Sequence, residues 1–263
     1  MRNFREVLVA SAAMMVVSVC SSQAADLAVR PYYAKAAPAM AAAVYDWSGL
    51  YLGVNAGYAT SKNTWWVDDP YYAGSHNASG ATVGGQIGYR WQLSNWVFGV
   101  EGQGNWADLS GSNISAYANA FGAMNHTRID SFALLTGNIG VVLNNVLLYV
   151  KGGGAVVNSK YEYTSNPADQ YGSFRGSVSE SRWNPTVGAG LEIGFAPNWS
   201  IGAEFNHVFR SYRDETLGCT TNYSINDNPA CGLATDGLHV RQDLDVATVR
   251  LNYRFGGPVV AKY

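Results

Sequence analysis

The chain has 263 residues, with 17 Lys and Arg against 19 Asp and Glu, and its formal net charge of −2 gives a nucleic-acid partner no electrostatic footing. Charged residues make up only 14 %, where about a quarter is usual, while aromatics reach 13 % and glycines number 29. No apolar run reaches the roughly 18 residues that a spanning helix needs, which excludes a helical membrane protein.

Residues 1–24 read as a secretory signal peptide. Arg2 and Arg5 form a basic end, Val7–Val19 an apolar core too short to span, and Ser22-Gln23-Ala24 a small-x-small cleavage site. Residues 25–46, rich in Ala with Pro31 and Pro38, read as a flexible periplasmic lead-in.

From Trp47 onward the apolar residues recur with period two, the signature of strands with unlike faces. Eight segments are predicted in turn: Gly49–Thr60, Thr82–Leu93, Trp96–Ala107, Arg128–Val142, Val146–Val157, Thr186–Phe195, Ser200–Phe209 and Asp245–Phe255. At about 10 residues each is long enough to cross a bilayer when tilted. Short turns join the second to the third (Ser94-Asn95), the fourth to the fifth (Leu143-Asn144-Asn145) and the sixth to the seventh (Ala196-Pro197-Asn198-Trp199). The other joins are long and polar: Ser61–Ala81, Asp108–Thr127, Asn158–Pro185 and Arg210–Leu244. Strict alternation puts every long loop on one side. That is the pattern of an eight-stranded antiparallel up-and-down transmembrane β-barrel, whereas a sandwich scatters its long connections between both ends. The barrel domain is residues 47–255, followed by a tail, 256–263.

One face of each segment is aliphatic or aromatic, as in Trp96, Phe98 and Val100. The other is small or polar, as in Gly99, Glu101 and Gln103. Bare sheet edges cannot lie in hydrocarbon, so the sheet must close, with its apolar face toward lipid and Glu101 inside. Trp47, Trp91, Trp96, Trp199, Tyr253 and Phe255 lie near the short turns or the termini and are predicted to form an interfacial girdle. Tyr58, Trp106 and Phe209 would form the opposite one.

Inside, hairpin register predicts a charge network of Arg90, Glu101, Lys151, Glu192, Glu204, Arg250 and Arg254. Arg90 falls diagonal to Glu101, Lys151 diagonal to Glu192, and Glu204 beside Arg250. Two readings stand: a network that fills the lumen, or a selectivity ring in a narrow pore. Eight strands enclose a lumen that side chains just fill, which favours the first.

After removal of the leader, two cysteines remain in an exported protein, and Cys219 and Cys231 are expected to form a disulfide in the last long loop. No metal spacing is present. His76, His126 and His239 lie in loops or at strand tops, and His207 on the lipid side; none shows paired ligand spacing, so no cofactor is expected, haem being the remote alternative. His207 and Ser211 share a face by parity, yet no supporting acid or oxyanion site marks an enzyme.

Three stretches, DWSGLYLGVNAGY (Asp46–Tyr58), FAPNWSIGAEF (Phe195–Phe205) and TVRLNYRFGGPVVAKY (Thr248–Tyr263), resemble the outer membrane immunogenic protein family. These are small porin-like barrels of Gram-negative bacteria, with hemin-binding proteins among their relatives. The resemblance implies an outer-membrane location and an OmpA-type barrel with both termini in the periplasm. It implies a structural and surface-antigen role, with a narrow channel for small solutes or a hemin-binding or adhesin-like receptor as alternatives. The expected partners are outer-membrane lipid and lipopolysaccharide, and the barrel-assembly machinery, for which Phe255 or Tyr263 would be the C-terminal signal. The oligomeric state is not legible.

Overall fold

The computed structural model describes residues 45–67, 71–115, 124–164, 174–215, 218–221 and 238–256. The predicted signal peptide, most of the predicted lead-in and residues 257–263 lie outside them. Strands β1 (Gly49–Val67), β2 (Tyr71–Leu93), β3 (Trp96–Ile114), β4 (Met124–Leu143), β5 (Val146–Thr164), β6 (Phe174–Ala196) and β7 (Trp199–Glu215) follow one another. A short strand β8 (Gly218–Thr221) extends the edge of β6, and β9 (Leu238–Phe255) ends the fold. Each long strand pairs antiparallel with its neighbours in the sequence, β9 pairs with both β7 and β1, and β5–β6 pairing closes the ring. The result is a closed eight-strand up-and-down barrel, with β8 as an appendage.

All three short connections are two-residue turns, since Leu93 pairs with Trp96, Leu143 with Val146 and Ala196 with Trp199. In the first two of these turns Ser94 and Asn144 take the left-handed conformation, with φ of 56° and 58°, whereas the third, built on Pro197, has no positive φ.

The eight long strands run 17–23 residues, about twice what a bilayer crossing requires. The predicted long loops are therefore largely strand: β1 continues to Val67, which pairs with Tyr71 at the start of β2. The sequence reading stopped early for a physical reason. Above the bilayer the outer face meets water, so Thr60, Lys62 and Thr64 alternate with Ser61 and Asn63, and the contrast between faces disappears. Trp65, within the predicted join Ser61–Ala81, is fully buried inside this extension.

The predicted inversion of faces holds. Glu101 is 2 % exposed, whereas Trp96, Phe98 and Val100 are 51 %, 39 % and 50 % exposed. Trp91, Trp96, Trp199 and Phe255 point outward at the turn end, and Tyr253 packs edge-on between Trp199 and Phe255 with centroids 5.0 Å from each. Trp47 is the exception. It precedes β1 and enters the barrel mouth, where it is buried against Val97, Val142, Leu147 and Tyr149. Tyr45 and Asp46, assigned to the lead-in, pack there too.

Candidate functional site in the barrel lumen

The lumen is built in layers. At the turn end, the Trp47 backbone N–H donates to Gln92 Oε1 at 2.8 Å, and the Tyr45 and Trp47 rings meet tilted, with centroids 4.5 Å apart. Arg254 donates to Asp46 at 3.4 Å and to the carbonyls of Ser48 and Pro197. Arg254 thus closes the mouth and stands apart from the central charges.

Above it, Arg90, Lys151 and Arg250 meet Glu101, Glu192 and Glu204, three bases against three acids. Arg90 on β2 reaches Glu192 on β6 in a two-pronged pair, at 3.2 and 2.8 Å. These strands stand opposite each other in the ring of eight, so the pair spans the lumen. Lys151 donates to Glu101 at 3.0 Å and to Glu204 at 2.7 Å, and Arg250 bridges the same two carboxylates.

Two predicted pairings are therefore corrected. Arg90 is diagonal to Glu101 in register but pairs with Glu192 instead, and Lys151 pairs with Glu101 and Glu204, not Glu192. In register Lys151 lies opposite Gly188, with Glu192 opposite Leu147, too far along the strand. Strand register ranks neighbours on one wall, whereas a narrow lumen lets long side chains cross to another wall. Glu204 and Arg250 do pair as predicted.

Two tyrosines that the sequence reading missed complete the layer. Tyr51 donates to Glu101 at 2.5 Å and Tyr149 to Glu204 at 2.6 Å. Each lies across the glycine opposite it: a Cβ on Gly88 would fall 2.4 Å from the Tyr51 hydroxyl, and one on Gly190 2.5 Å from that of Tyr149. The glycines are the space the rings occupy. The signal was available, because Tyr51 has the parity of Gly53 and Asn55 and Tyr149 that of Lys151. Arg90 also lies over the Tyr51 ring, 4.3 Å from its centroid.

Next comes an amide layer. Asn105 donates to Asn55 at 2.6 Å, Asn55 to Gln86 at 2.7 Å, and Gln86 to Asn252 at 2.7 Å. Asn252 donates on to Glu192 at 2.8 Å, linking the amides to the charges. Higher still, the lumen turns apolar, with Leu109, Ile129, Phe132, Leu134, Val157, Val208, Leu244 and Val246 in one buried cluster. Buried Ser61, Asn63, Trp65 and Thr127 cap it.

A filled, layered lumen inside a closed eight-strand sheet is the architecture of a small outer-membrane barrel, and residues 11–255 match the family model for the outer membrane protein beta-barrel domain. The chain belongs to this family. It is 31 % identical over 211 residues to the 31 kDa outer-membrane immunogenic protein of Brucella melitensis, a match that spans 76 % of this chain and 85 % of that protein. Among solved structures it is similar to the outer membrane protein OprG from Pseudomonas aeruginosa, at TM-score 0.48 and 13 % identity, covering 80 % of this chain and 97 % of that one. It is also similar to Ail of Yersinia pestis, at TM-score 0.31 and 18 % identity, covering 77 % of this chain and 99 % of that one.

The remaining predicted residues of this family member fall elsewhere. The Cys219–Cys231 disulfide lies outside the described residues, where only the backbone of Cys219 is placed, opposite Gly176. His76 faces the interior, with its ring nitrogens 2.8 Å from Asn113 and 3.0 Å from Thr127. His126 alternates with buried Asn125 and Thr127 and so faces outward, on the other side of the wall from His76. Of His239 only the backbone is described, opposite Trp66. His207 stands at the upper edge of the lipid-facing belt, its Nδ1 2.6 Å from Asp245.

Proposed function

We propose that this outer-membrane barrel is a closed structural element of the envelope that displays its projecting upper end at the cell surface. One observation carries this reading: the lumen is crossed by two unlike barriers in series. The six paired charges fill the lower one and the apolar cluster fills the upper. Water and ions meet neutralised charge first, and then a layer with nothing to solvate them. In this reading residues 1–24 direct export and are removed, and the short turns face the periplasm. The projecting strands are the antigenic part, in keeping with the immunogenic relative in Brucella.

Planar-bilayer recording of the refolded barrel tests the closed state. The expected trace is flat apart from rare, brief events. Sustained unit openings in the wild type would overturn it and favour the narrow-pore alternative.

A further inference from the structure

We propose that Tyr45–Trp47 is a clasp that locks the closing seam of the barrel from inside the turn-end mouth, so that β1 parts from β9 only after the clasp has left.

The ring has one seam unlike the rest. With β8 set aside, the other ladders join strands that follow one another in the chain, whereas β1–β9 joins the first long strand to the last. No turn ties these two together, so closing the seam costs the loop entropy of the whole intervening chain. At the mouth the seam starts where Leu50 pairs with Phe255 and Tyr51 with Arg254. A bare strand pair frays from such free ends and exposes backbone groups without partners.

Gly49 is the hinge. It holds a φ of 123°, open to glycine and hostile to other residues, and a Cβ there would fall 2.9 Å from the Phe255 carbonyl oxygen. The residues before it leave the wall and enter the mouth. Asp46 Oδ1 accepts from the Ser48 backbone N–H at 2.9 Å, a local turn that stiffens the crossing.

Three ties hold the segment. On β2, Gln92 Oε1 accepts from the Trp47 backbone N–H at 2.8 Å, and the Gln92 backbone N–H donates to Ser48 Oγ at 3.1 Å. On β9, Arg254 Nη1 donates to the Ser48 carbonyl at 3.1 Å and to Asp46 Oδ2 at 3.4 Å, while its Nη2 reaches the Pro197 carbonyl in the β6–β7 turn at 3.3 Å. The third tie is apolar. The Trp47 side chain shares a buried cluster with Val97 of β3, Val142 of β4 and Leu147 of β5, and Tyr45 lies over Gly194 of β6, where a Cβ would strike its ring. The clasp thus grips β9 directly, β1 through the chain, and walls across the lumen. Peeling β1 from β9 at the mouth moves Gly49, and Gly49 cannot move far without drawing Trp47 from its socket. That socket is assembled from walls that come together only in the closed ring. The clasp therefore docks last and leaves first.

The test uses the mature barrel refolded in dodecylmaltoside micelles, carrying Cys219→Ser and Cys231→Ser. Unfolding in urea is followed by loss of β circular dichroism and by the ¹⁹F signal of 5-fluorotryptophan, assigned to position 47 through Trp47→Phe. The Trp47 signal is expected to reach its solvent position before strand structure is lost. Trp47→Ala is expected to speed unfolding at least tenfold and to leave the refolding rate unchanged, because the clasp is absent until the ring has closed. Should that variant fail to fold, Trp47→Phe serves in its place with a several-fold effect. Asp46→Cys with Arg254→Cys is expected to unfold faster than wild type when free, and at least tenfold slower than wild type once a short bis-maleimide links the two cysteines. Strand loss ahead of Trp47 release, an unchanged unfolding rate in the Trp47 variants, slowed refolding instead, or a linked form that unfolds as fast as the free one would each overturn the proposal. None of these readouts measures conductance, so the closed-state reading stands or falls separately.

Discussion

At the height of Glu101 the lumen holds buried acids and bases that satisfy one another, whereas farther along the same strand, at Leu109, it holds only hydrocarbon. Both regions exclude water, but by different means. The lower depends on specific partners: each carboxylate is held by at least one cation and by a hydroxyl or amide besides. The upper depends only on volume. Stability should therefore be brittle at the charges and graded at the apolar cluster.

The largest effect is expected where one partner serves two others. Arg250→Met leaves Glu101 and Glu204 with Lys151 alone, and should cost about 3–5 kcal/mol in denaturant unfolding of the micelle-bound barrel. Removing both members of a pair sharpens the comparison. Arg90→Met combined with Glu192→Leu should lie closer to wild type than either single change, because neither leaves an unpaired buried charge. A double variant less stable than both singles would show that the layer is not organised by pairs.

Leu109→Ala comes next, at about 3 kcal/mol, as a lost transfer term plus a cavity. No partner is orphaned, so no pH dependence should accompany it. A pH-dependent loss would show that the upper layer is coupled to the charges below.

The smallest effect concerns the polar cap. Burial pushes His76 below its ordinary value of 6.5. The unfolded chain then binds the proton more readily, so stability is flat above about pH 6.5 and declines as pH falls below it. Amide exchange around residues 74–79 should speed up in that range. His76→Gln should remove the pH dependence while leaving the barrel closed.

Much of the fold was legible because lipid imposes a rule. Every position facing hydrocarbon in Trp96–Ala107 must be apolar or small, and period two follows. The charged residues of the lumen were legible for the complementary reason that, within the apolar belt, the other face carries no acid or base, and outward charges such as Arg128, Asp130 and Asp245 come only at its upper edge. Apart from Glu204 with Arg250, their partners were not. Register fixes neighbours along a wall, whereas Arg90 and Glu192 meet across the lumen, 102 residues apart in sequence. Trp47 was misplaced because an aromatic near a chain end reads as interfacial whether it lies outside the barrel or inside its mouth.

By itself the sequence determined the number of strands, their order, which face meets lipid, and which charges are enclosed, since each follows from local alternation and from where the short turns fall. Only the tertiary structure decided which charge meets which, where the bulge in β4 turns Arg128 outward, and how far the strands run beyond the bilayer. Those depend on distances across a closed ring and on a surface where water bathes the outer wall, and neither leaves a periodic mark in the chain.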